Sequence, residues 1–490
     1  MGISRRSWLI LALAVVALWS GLRISAADRN PQAEALEAAK GHLELPDDDY
    51  LAVDRTSQQR SPATSFSGGA ATSVQVNVDG EGNNIVGDAA NEPSIAVDPA
   101  NPSRMVVGWR QFDTIANNFR QAGWAWSADG GAGWTFPGSI DAGNFRSDPV
   151  LGVDANGVFY YYSLGVPGGN FAMDMFLSID GGMSWSVPFF ACGGDKAWFT
   201  LDRTGGIGNG HAYAFWTDSF TCPGQNGGFN RSTDGAMTWD PAIFVPNSLR
   251  WGTLDVTPDG VLHLLGTTGG GLFTTRSSNA QNAGEGVIFD GVNPVDLGGD
   301  LSVSSGPNPG GLLGQAWIAV NQNNSHLYAL ASVNPPGSDP LDVRFSRSID
   351  GGLTWSPSIR VNDDAGTSAY QWFGTMSVAP NGRIDAIWND TRNSGTLVSE
   401  LFYSYSNDGG DTWSPNAPLS PSFDPLLGHP QQNKIGDYYD MVSFDDAAHL
   451  AWAATFNGEQ DVYYTRIPAP TIFTDGFESG DTSAWSNTIP

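Results

Sequence analysis

Short runs of alternating apolar and polar residues recur along most of this chain, a pattern that predicts strands rather than helices. A repeated unit opens with an apolar run, a turn and a second apolar run, first at residues 94–98 and 105–109. Plentiful glycine and proline suit short strands joined by turns. Equivalent openings start six further units at 150–154, 198–202, 253–256, 317–320, 375–378 and 439–442.

An octapeptide, Ser-x-Asp-Gly-(Gly/Ala)-x-x-Trp, repeats within these units. Its Asp can accept hydrogen bonds from the turn, its Gly permits positive φ and its Trp packs between sheets, so we interpret it as a hairpin fastener. The spacing is about 55 residues, the length of one four-stranded propeller blade. One gap is twice as long, and residues 273–279 fit a decayed copy. The five copies begin at Ser127, Ser178, Ser232, Ser348 and Ser406.

These octapeptides resemble the Asp-boxes of the sialidase and bacterial neuraminidase repeat family, over roughly residues 92–467. The resemblance implies an all-β propeller with the boxes between the third and fourth strands of each blade, opposite the active site. The box aspartates are then structural. The repeat count favours seven blades, whereas enzymes of the family typically have six, which is the alternative.

The two ends of the repeat region predict how the ring closes. The last unit ends at 462–466 without an octapeptide, so its outermost strand is missing. Val74, Val76 and Val78 alternate before the first unit. We expect this N-terminal strand, 73–78, to pair with 462–466 and remove the free edges. The propeller then covers residues 70–468.

The flanking segments differ in character from the repeats. Arg5 and Arg6, an apolar run at 8–19 and small residues at 25–27 predict a cleaved signal peptide over 1–27, hence a secreted or periplasmic protein. Residues 4–9 also resemble a twin-arginine export motif. No later run is long enough to span a membrane. Residues 28–69 suggest a flexible leader, and 469–490 a C-terminal tail too short to fold alone.

The charge balance narrows the choice of partners. The net charge is −28, with 51 acidic and 23 basic residues, which argues against nucleic acid and anionic membranes. We expect an acidic, solvated, monomeric protein without a cofactor. Oxygen-rich segments at 79–84 and 362–366 leave Ca²⁺ as a weaker alternative. Cys192 and Cys222 flank strands of the third unit on one face, and we expect a disulfide between them.

Polar and aromatic residues collect where a propeller has its mouth. Arginine, carboxylates and aromatic rings together suit sugar recognition, because aromatic rings stack on sugars and Arg pairs with carboxylates. The expected partners are therefore extracellular glycans or surface proteins. The positions entering inner strands or following second strands include Glu92, Arg110, Arg146, Asp148, Asp195, Lys196, Arg250, Trp251, Gln315, Tyr370, Trp372, Asp390, Arg392, Glu400, Asp437, Tyr438 and Tyr439.

The family resemblance implies sharper roles for some of these residues. A sialidase uses three arginines to hold the substrate carboxylate, a tyrosine nucleophile activated by a glutamate, and an aspartate as acid and base. The Phe-Arg-x-Pro signature of the family is missing, since none of the Arg-x-Pro runs, at 29–31, 60–62 and 466–468, follows a Phe. The candidates are Arg146, Arg250 and Arg392 for the clamp, Tyr438 or Tyr439 as nucleophile, Glu92, Glu400 or Asp437 as the acidic residues near it, and Trp251, Tyr370 and Trp372 for binding.

Two functional hypotheses follow. The first is an exported propeller that binds glycans or surface partners at its mouth without catalysis. The alternative is an exo-α-sialidase. The missing signature favours binding.

Overall fold

The computed structural model describes residues 48–219, 221–302 and 306–470. The expected signal peptide, the leader up to residue 47 and the tail from residue 471 lie outside the described residues. Within them, regular structure is β apart from two 3₁₀ turns, Pro167–Gly169 and Pro246–Ser248. No helix in these three ranges is long and apolar enough to cross a membrane.

The strands form a ring of seven blades, which confirms the β-propeller and the seven-blade prediction over six. Blade 1 has β5 (Ala89–Val97), β6 (Met105–Phe112), β7 (Gln121–Ser127) and β8 (Thr135–Ile140). Blade 2 has β9 (Ser147–Val153), β10 (Phe159–Gly165), β11 (Ala172–Ser178) and β12 (Phe189–Cys192). Blade 3 has β13 (Trp198–Leu201), β14 (Ala212–Phe215) and β15 (Phe229–Ser232), with an isolated bridge from Phe229 to Ile243 at its outer edge.

Blades 4 to 6 repeat this antiparallel order. Blade 4 has β16 (Leu254–Val256), β17 (Leu262–Thr268), β18 (Gly271–Ser277) and β19 (Asn293–Val295). Blade 5 has β20 (Asp300–Leu301), β21 (Trp317–Val320), β22 (Leu327–Asn334), β23 (Asp342–Ser348) and β24 (Ile359–Arg360). Blade 6 has β25 (Gln371–Val378), β26 (Ile384–Asp390), β27 (Glu400–Ser406) and β28 (Ala417–Pro418).

Blade 7 is completed by the N-terminal part of the chain, as predicted. It contains β29 (Asp440–Ser443), β30 (Ala447–Ala454) and β31 (Asp461–Pro468). The fourth strand is β3 (Ala71–Gln75), which pairs antiparallel with β31 in the register Ser73 to Thr465. The amide of Val76 extends the ladder by donating to the carbonyl of Val462 at 2.8 Å. The ring therefore closes by strand pairing between the two ends of the propeller.

The segment expected to be a flexible leader differs from that expectation over its described part. Residues 60–68 form β1 (Arg60–Pro62) and β2 (Ser65–Gly68), of which β2 adds a fifth strand to blade 7 beside β3. Strand β1 pairs with β4 (Asn83–Ile85). The propeller sheet therefore begins before residue 70.

Each octapeptide forms the same hydrogen-bonded turn on the face opposite the mouth. In the fourth copy, Ser348 Oγ donates to Asp350 Oδ1 at 2.8 Å and accepts from the Gly352 amide at 2.9 Å. Asp350 Oδ1 also accepts from the Thr354 amide at 2.9 Å. Although burial raises it, hydrogen bonds from Thr354 hold the pKa of Asp350 below its usual value. The aspartate thus fastens the turn as an ion.

The octapeptide turns also join neighbouring blades. Trp124 in blade 1 donates to the carbonyl of Gly182 at 2.9 Å, and Arg347 in blade 5 donates to that of Gly409 at 3.0 Å. A side chain on Gly410, which has φ 89°, would lie within 2.0 Å of the Phe345 ring in the preceding blade. The motif therefore needs its glycines for close blade packing as well as for turn geometry.

Shortening one octapeptide aspartate should weaken the fold modestly. Asp350→Ala removes the acceptor for Ser348 and Thr354, and we expect a loss of about 1 kcal/mol in the free energy of unfolding, the usual value for a lost backbone cap. Ile349→Ala is the matched control, because Ile349 is 70% exposed in the same turn. Urea unfolding of both variants measures the difference, and equal stability would contradict a fastening role.

The closing junction should make stability depend on pH. Burial raises the pKa of Asp461 to about 7, against hydrogen bonds from Asn77 and Asn457. Between pH ~4 and 7 the folded state holds a proton that the unfolded state releases. The free energy of unfolding therefore falls by up to about 1.4 kcal/mol per pH unit as the pH rises through this range. Asp461→Asn cannot ionise and should flatten this slope in urea titrations. An unchanged slope would show that Asp461 is charged throughout.

Candidate functional site

The inner strands start at the mouth with a shared backbone feature. Glu92, Asp148, Lys196, Trp251 and Phe373 precede or begin inner strands of five blades, and all have positive φ between 45° and 59°. The strand register shifts beside these positions in blades 1 and 6. Left-handed, bulged positions re-aim side chains and cost energy for non-glycine residues. Five equivalent occurrences mark the mouth as a built feature of the ring.

A buried ionic cluster lies beneath the mouth, centred on Asp437. Lys196 Nζ lies 2.5 Å and Lys434 Nζ 2.7 Å from Asp437 Oδ2. The same Lys196 ammonium lies 3.8 Å from Asp148 and 3.7 Å from Asp195. All five side chains are buried. Because isolated buried charges are unfavourable, this compensation is what permits them to be inside.

Glu92 joins the cluster with an altered acidity. Its carboxylate lies 3.0 Å from Arg110 Nε, and both residues are fully buried. Burial raises the pKa of Glu92 to about 8, with Arg110 opposing the shift and Asp437 adding to it. Glu92 and Asp437, both candidate acids from the sequence, belong to this closed, buried cluster.

Two loops cover this cluster from the solvent side. The fully buried Asn308 donates to the carbonyl of Gly436 at 2.8 Å and accepts from the amide of Ile435 at 3.0 Å. The amide of Leu312 donates to Asp437 Oδ1 at 2.7 Å. The segments at 308–312 and 433–437 thus bind each other and exclude a ligand from direct contact with Asp437.

The two candidate tyrosine nucleophiles lie in the interior. The Tyr438 hydroxyl donates to the carbonyl of Pro149 at 2.7 Å, and its ring packs 5.1 Å from Trp198. The Tyr439 hydroxyl donates to the carbonyl of Ala453 at 2.6 Å. Burial raises the pKa of both phenols, and Glu92 adds to the shift at Tyr438. Neither hydroxyl is presented to a ligand at the mouth, and a raised pKa opposes nucleophilic activation.

The three candidate clamp arginines do not share a partner. Arg146 lies 2.7 Å from Asp141 and 2.6 Å from Asp174. Arg392 lies 2.8 Å from Asp390 and 2.6 Å from Asp363. Each of these arginines is already neutralised by two carboxylates of the protein. The expected clamp of Arg146, Arg250 and Arg392 is therefore not assembled as three free cations.

Arg250 has a different environment from the other two. Its guanidinium carbon lies 4.5 Å from the centre of the Trp251 ring, and no carboxylate of the described residues pairs with it. Its buried Nε lacks a hydrogen-bond acceptor among the same residues. The backbone is fixed, since Arg250 exchanges two hydrogen bonds with Thr267 at 3.1 and 2.8 Å. Arg250 is a half-buried cation on a rigid support.

Gln315 enters the neighbouring inner strand. It is fully buried, and neither its amide oxygen nor its amide nitrogen has a partner among the described residues. The two strand entrances are joined by a parallel bridge between Gly252 and Ala316. Buried polar groups without partners are uncommon.

The two remaining aromatic candidates differ in exposure. Trp372 is fully buried, donates to Ser399 Oγ at 3.0 Å and packs on Phe373. Its ring is not available to stack on a sugar. Tyr370 is half-buried, and its backbone amide donates to Thr391 Oγ1 at 2.8 Å. Of this pair, Tyr370 alone reaches the surface.

The two cysteines form a disulfide on the mouth side, with a Cα separation of 5.2 Å. The amide of Cys222 also donates to the carbonyl of Gly193 at 3.1 Å. This link ties the loop between β14 and β15 to the segment that carries Asp195 and Lys196. The disulfide therefore supports one wall of the ionic cluster.

In the two segments considered for Ca²⁺, carboxylates form ion pairs with arginines. Asp79 lies 2.7 Å from Arg60, and Asp364 lies 2.9 Å from Arg360. Asp363 is the partner of Arg392 noted above. The described ranges contain no group of three or more acidic, histidine or cysteine side chains arranged to hold a metal ion.

Lys434 was not among the residues predicted from the sequence, and Lys196 and Arg110 were predicted at the mouth without a specific role. The scarcity of lysine in the sequence could have pointed to the two lysines of the cluster. The chain contains three lysines, at positions 40, 196 and 434, and both that the structure describes contact Asp437. In a strongly acidic protein, lysines this scarce point to specific partners.

Comparison with known proteins extends the picture of the fold. No protein-family model matches the chain, and no curated protein matches it either. A solved structure of unknown function from Dyadobacter fermentans is 13% identical, covers 83% of this chain and 99% of its own, and has a TM-score of 0.43. The Hadza microbial sialidase Hz136 is 13% identical, covers 77% of this chain and 66% of its own, and has a TM-score of 0.41.

A Trypanosoma rangeli sialidase in complex with 2,3-difluorosialic acid is likewise 13% identical over 83% of this chain, with a TM-score of 0.43. This chain spans 59% of that sialidase. The solved structures that resemble this chain thus include sialidases.

Neutralising Asp437 should destabilise the protein strongly. Asp437→Asn keeps an acceptor for Leu312 but removes the charge between Lys196 and Lys434, and breaking a buried pair typically costs about 3–5 kcal/mol. Asp446→Asn is the control, because Asp446 is a 70% exposed partner of Arg466. Urea unfolding should separate the two variants clearly. Similar stabilities would mean that water reaches and screens the cluster.

Proposed function

We propose that this chain is an exported, non-catalytic propeller that binds an acidic glycan at its mouth. Arg250 pairs with the carboxylate, and Trp251 orients the guanidinium. The observation that carries the proposal is that no carboxylate of the described residues pairs with Arg250, a half-buried arginine at a strand entrance.

The chemistry of Arg250 favours a ligand with a carboxylate. A guanidinium binds a carboxylate through paired N–H groups, and stacking on an indole limits its motion.

Several observations favour binding over hydrolysis. Tyr438 and Tyr439 have hydroxyls occupied by backbone carbonyls and raised phenol pKa values. Asp437 is held between two lysines under a loop. Arg146 and Arg392 are neutralised by aspartates. A sialidase mechanism on these residues would require all of these contacts to be replaced.

The proposed export rests on different features. Basic residues followed by an apolar run begin the sequence, and a disulfide fastens a wall of the mouth. Disulfides persist in oxidising compartments outside the cytoplasm. A glycan or surface protein would be encountered there.

The proposal predicts a selective loss of binding in Arg250→Ala. Because no carboxylate of the described residues pairs with this arginine, we expect the free energy of unfolding to fall by no more than the cation–π contact contributes, about 0.5–1 kcal/mol. Binding of sialylated or uronic acid glycans should weaken by tenfold or more, as expected when a charged contact to a carboxylate is lost. Glycan arrays followed by titration calorimetry measure this.

The control is Arg466→Ala, which removes an exposed, paired arginine near the opposite face. Equal binding by the two variants would reject the site. Release of sialic acid from a fluorogenic glycoside by the unaltered protein would replace binding with the sialidase alternative. If the protein bound an acidic surface protein and no glycan, Arg250 would remain the proposed binding residue and the proposed partner would be a protein.

A further inference from the structure

A recess lies on the mouth side of blade 6, where β26 ends and β27 begins. Its volume is about 100 Å³. Its wall combines carboxylates, an amide, hydroxyls and one apolar side chain. The lining residues are Asp390, Asn393, Ser394, Val398, Glu400 and Ser422.

The wall of this recess is preformed by its own hydrogen bonds. Ser394 Oγ donates to the carbonyl of Val398 at 2.7 Å and accepts from the amide of Thr396 at 3.1 Å. Ser399 and Phe423 exchange two backbone hydrogen bonds at 2.9 Å each. The loop from 391 to 399 is thereby fixed, and a ligand would not have to order it.

The charge of Asp390 is already compensated. Its oxygens accept from the Trp388 indole at 2.8 Å, from the Arg392 amide at 2.8 Å and from the Arg392 guanidinium at 2.8–2.9 Å. Asp390 also accepts from Gln371 at 3.2 Å. This carboxylate orients Arg392 and has no capacity left for a ligand.

Glu400 retains hydrogen-bonding capacity. It stands opposite Asp390 in the β26–β27 register and is half-buried. One of its oxygens accepts from the Asn393 amide nitrogen at 2.7 Å. No described residue donates to its other oxygen, and the amide oxygen of Asn393 likewise receives no hydrogen bond from them. The recess therefore presents acceptors on two walls and the Ser422 hydroxyl on a third.

We propose that this recess binds one neutral sugar ring through its hydroxyl groups. Several separate hydroxyls can donate to Glu400 and Asn393 and accept from Ser422, while the apolar face of the ring packs on Val398. The lining has no uncompensated cation, so it disfavours an acidic group. This site is distinct from the Arg250 site and takes a different class of ligand.

The experiment uses the full chain and methyl glycosides of glucose, galactose and mannose as probes. Saturation-transfer NMR and titration should detect binding of at least one glycoside, on the order of millimolar for a single ring. Glu400→Gln keeps the size of the side chain but removes its charge, and should weaken binding about tenfold. Val398→Phe fills the recess and should abolish binding.

Glu81→Gln is the matched control, since Glu81 is an exposed carboxylate outside the recess. It should bind as the unaltered protein does. Arg250→Ala should lose acidic glycans but keep the neutral glycoside, so failure at one site is distinguishable from failure at the other. Absence of glycoside binding, unchanged binding in Glu400→Gln, or preferential competition by methylammonium would each overturn the proposal.

Discussion

Pairing of β3 with β31 is the constraint on which the rest of this structure depends. The last repeat supplies only three strands of blade 7, and the N-terminal strand β3 completes this blade by pairing with β31. Inner strands are then held in register by polar links across blades. Ser94 donates to Asp440 at 2.5 Å and accepts from the Leu151 amide at 2.8 Å, joining blades 7, 1 and 2. Closure therefore fixes the positions that form the mouth.

Closure also explains which features could be predicted from the sequence. The octapeptide period reveals the blade length, and the apolar units reveal the count even in blade 4, where the octapeptide has decayed. Residues 277–279 keep the Ser–Asn contact of the motif, at 3.0 Å, without its glycines or tryptophan. The closing strand was predicted at 73–78, within three residues of the observed Ala71–Gln75, because its valines alternate. Strands β1 and β2 were missed because neither contains a buried side chain and hence neither has a distinct apolar pattern.

The positions of the candidate site residues could be predicted from the sequence, but their ion-pair partners could not. Sequence places Glu92, Asp437 and the arginines at strand entrances, because every blade repeats the same topology. It does not show that Lys434 turns inward or that Arg392 is already paired with Asp390 and Asp363. Those pairings depend on loop conformation between blades, and on left-handed residues whose identity varies from one blade to the next. Only the three-dimensional structure therefore shows which charged side chains are paired within the protein.

The contrast between Arg250 and the other mouth cations bears directly on how an acidic protein could bind an acidic ligand. With a net charge of −28, the surrounding field opposes the approach of an anion. That repulsion is screened beyond roughly 8 Å at physiological salt, whereas a direct contact at a half-buried side chain is screened much less. The proposed recognition of an acidic ligand therefore depends on short-range contacts at a cation that no carboxylate of the described residues neutralises. Arg146, Arg392 and both lysines are neutralised by neighbouring carboxylates and do not meet this condition. Arg250 does, and its rigid backbone and indole support hold it in place before a ligand arrives.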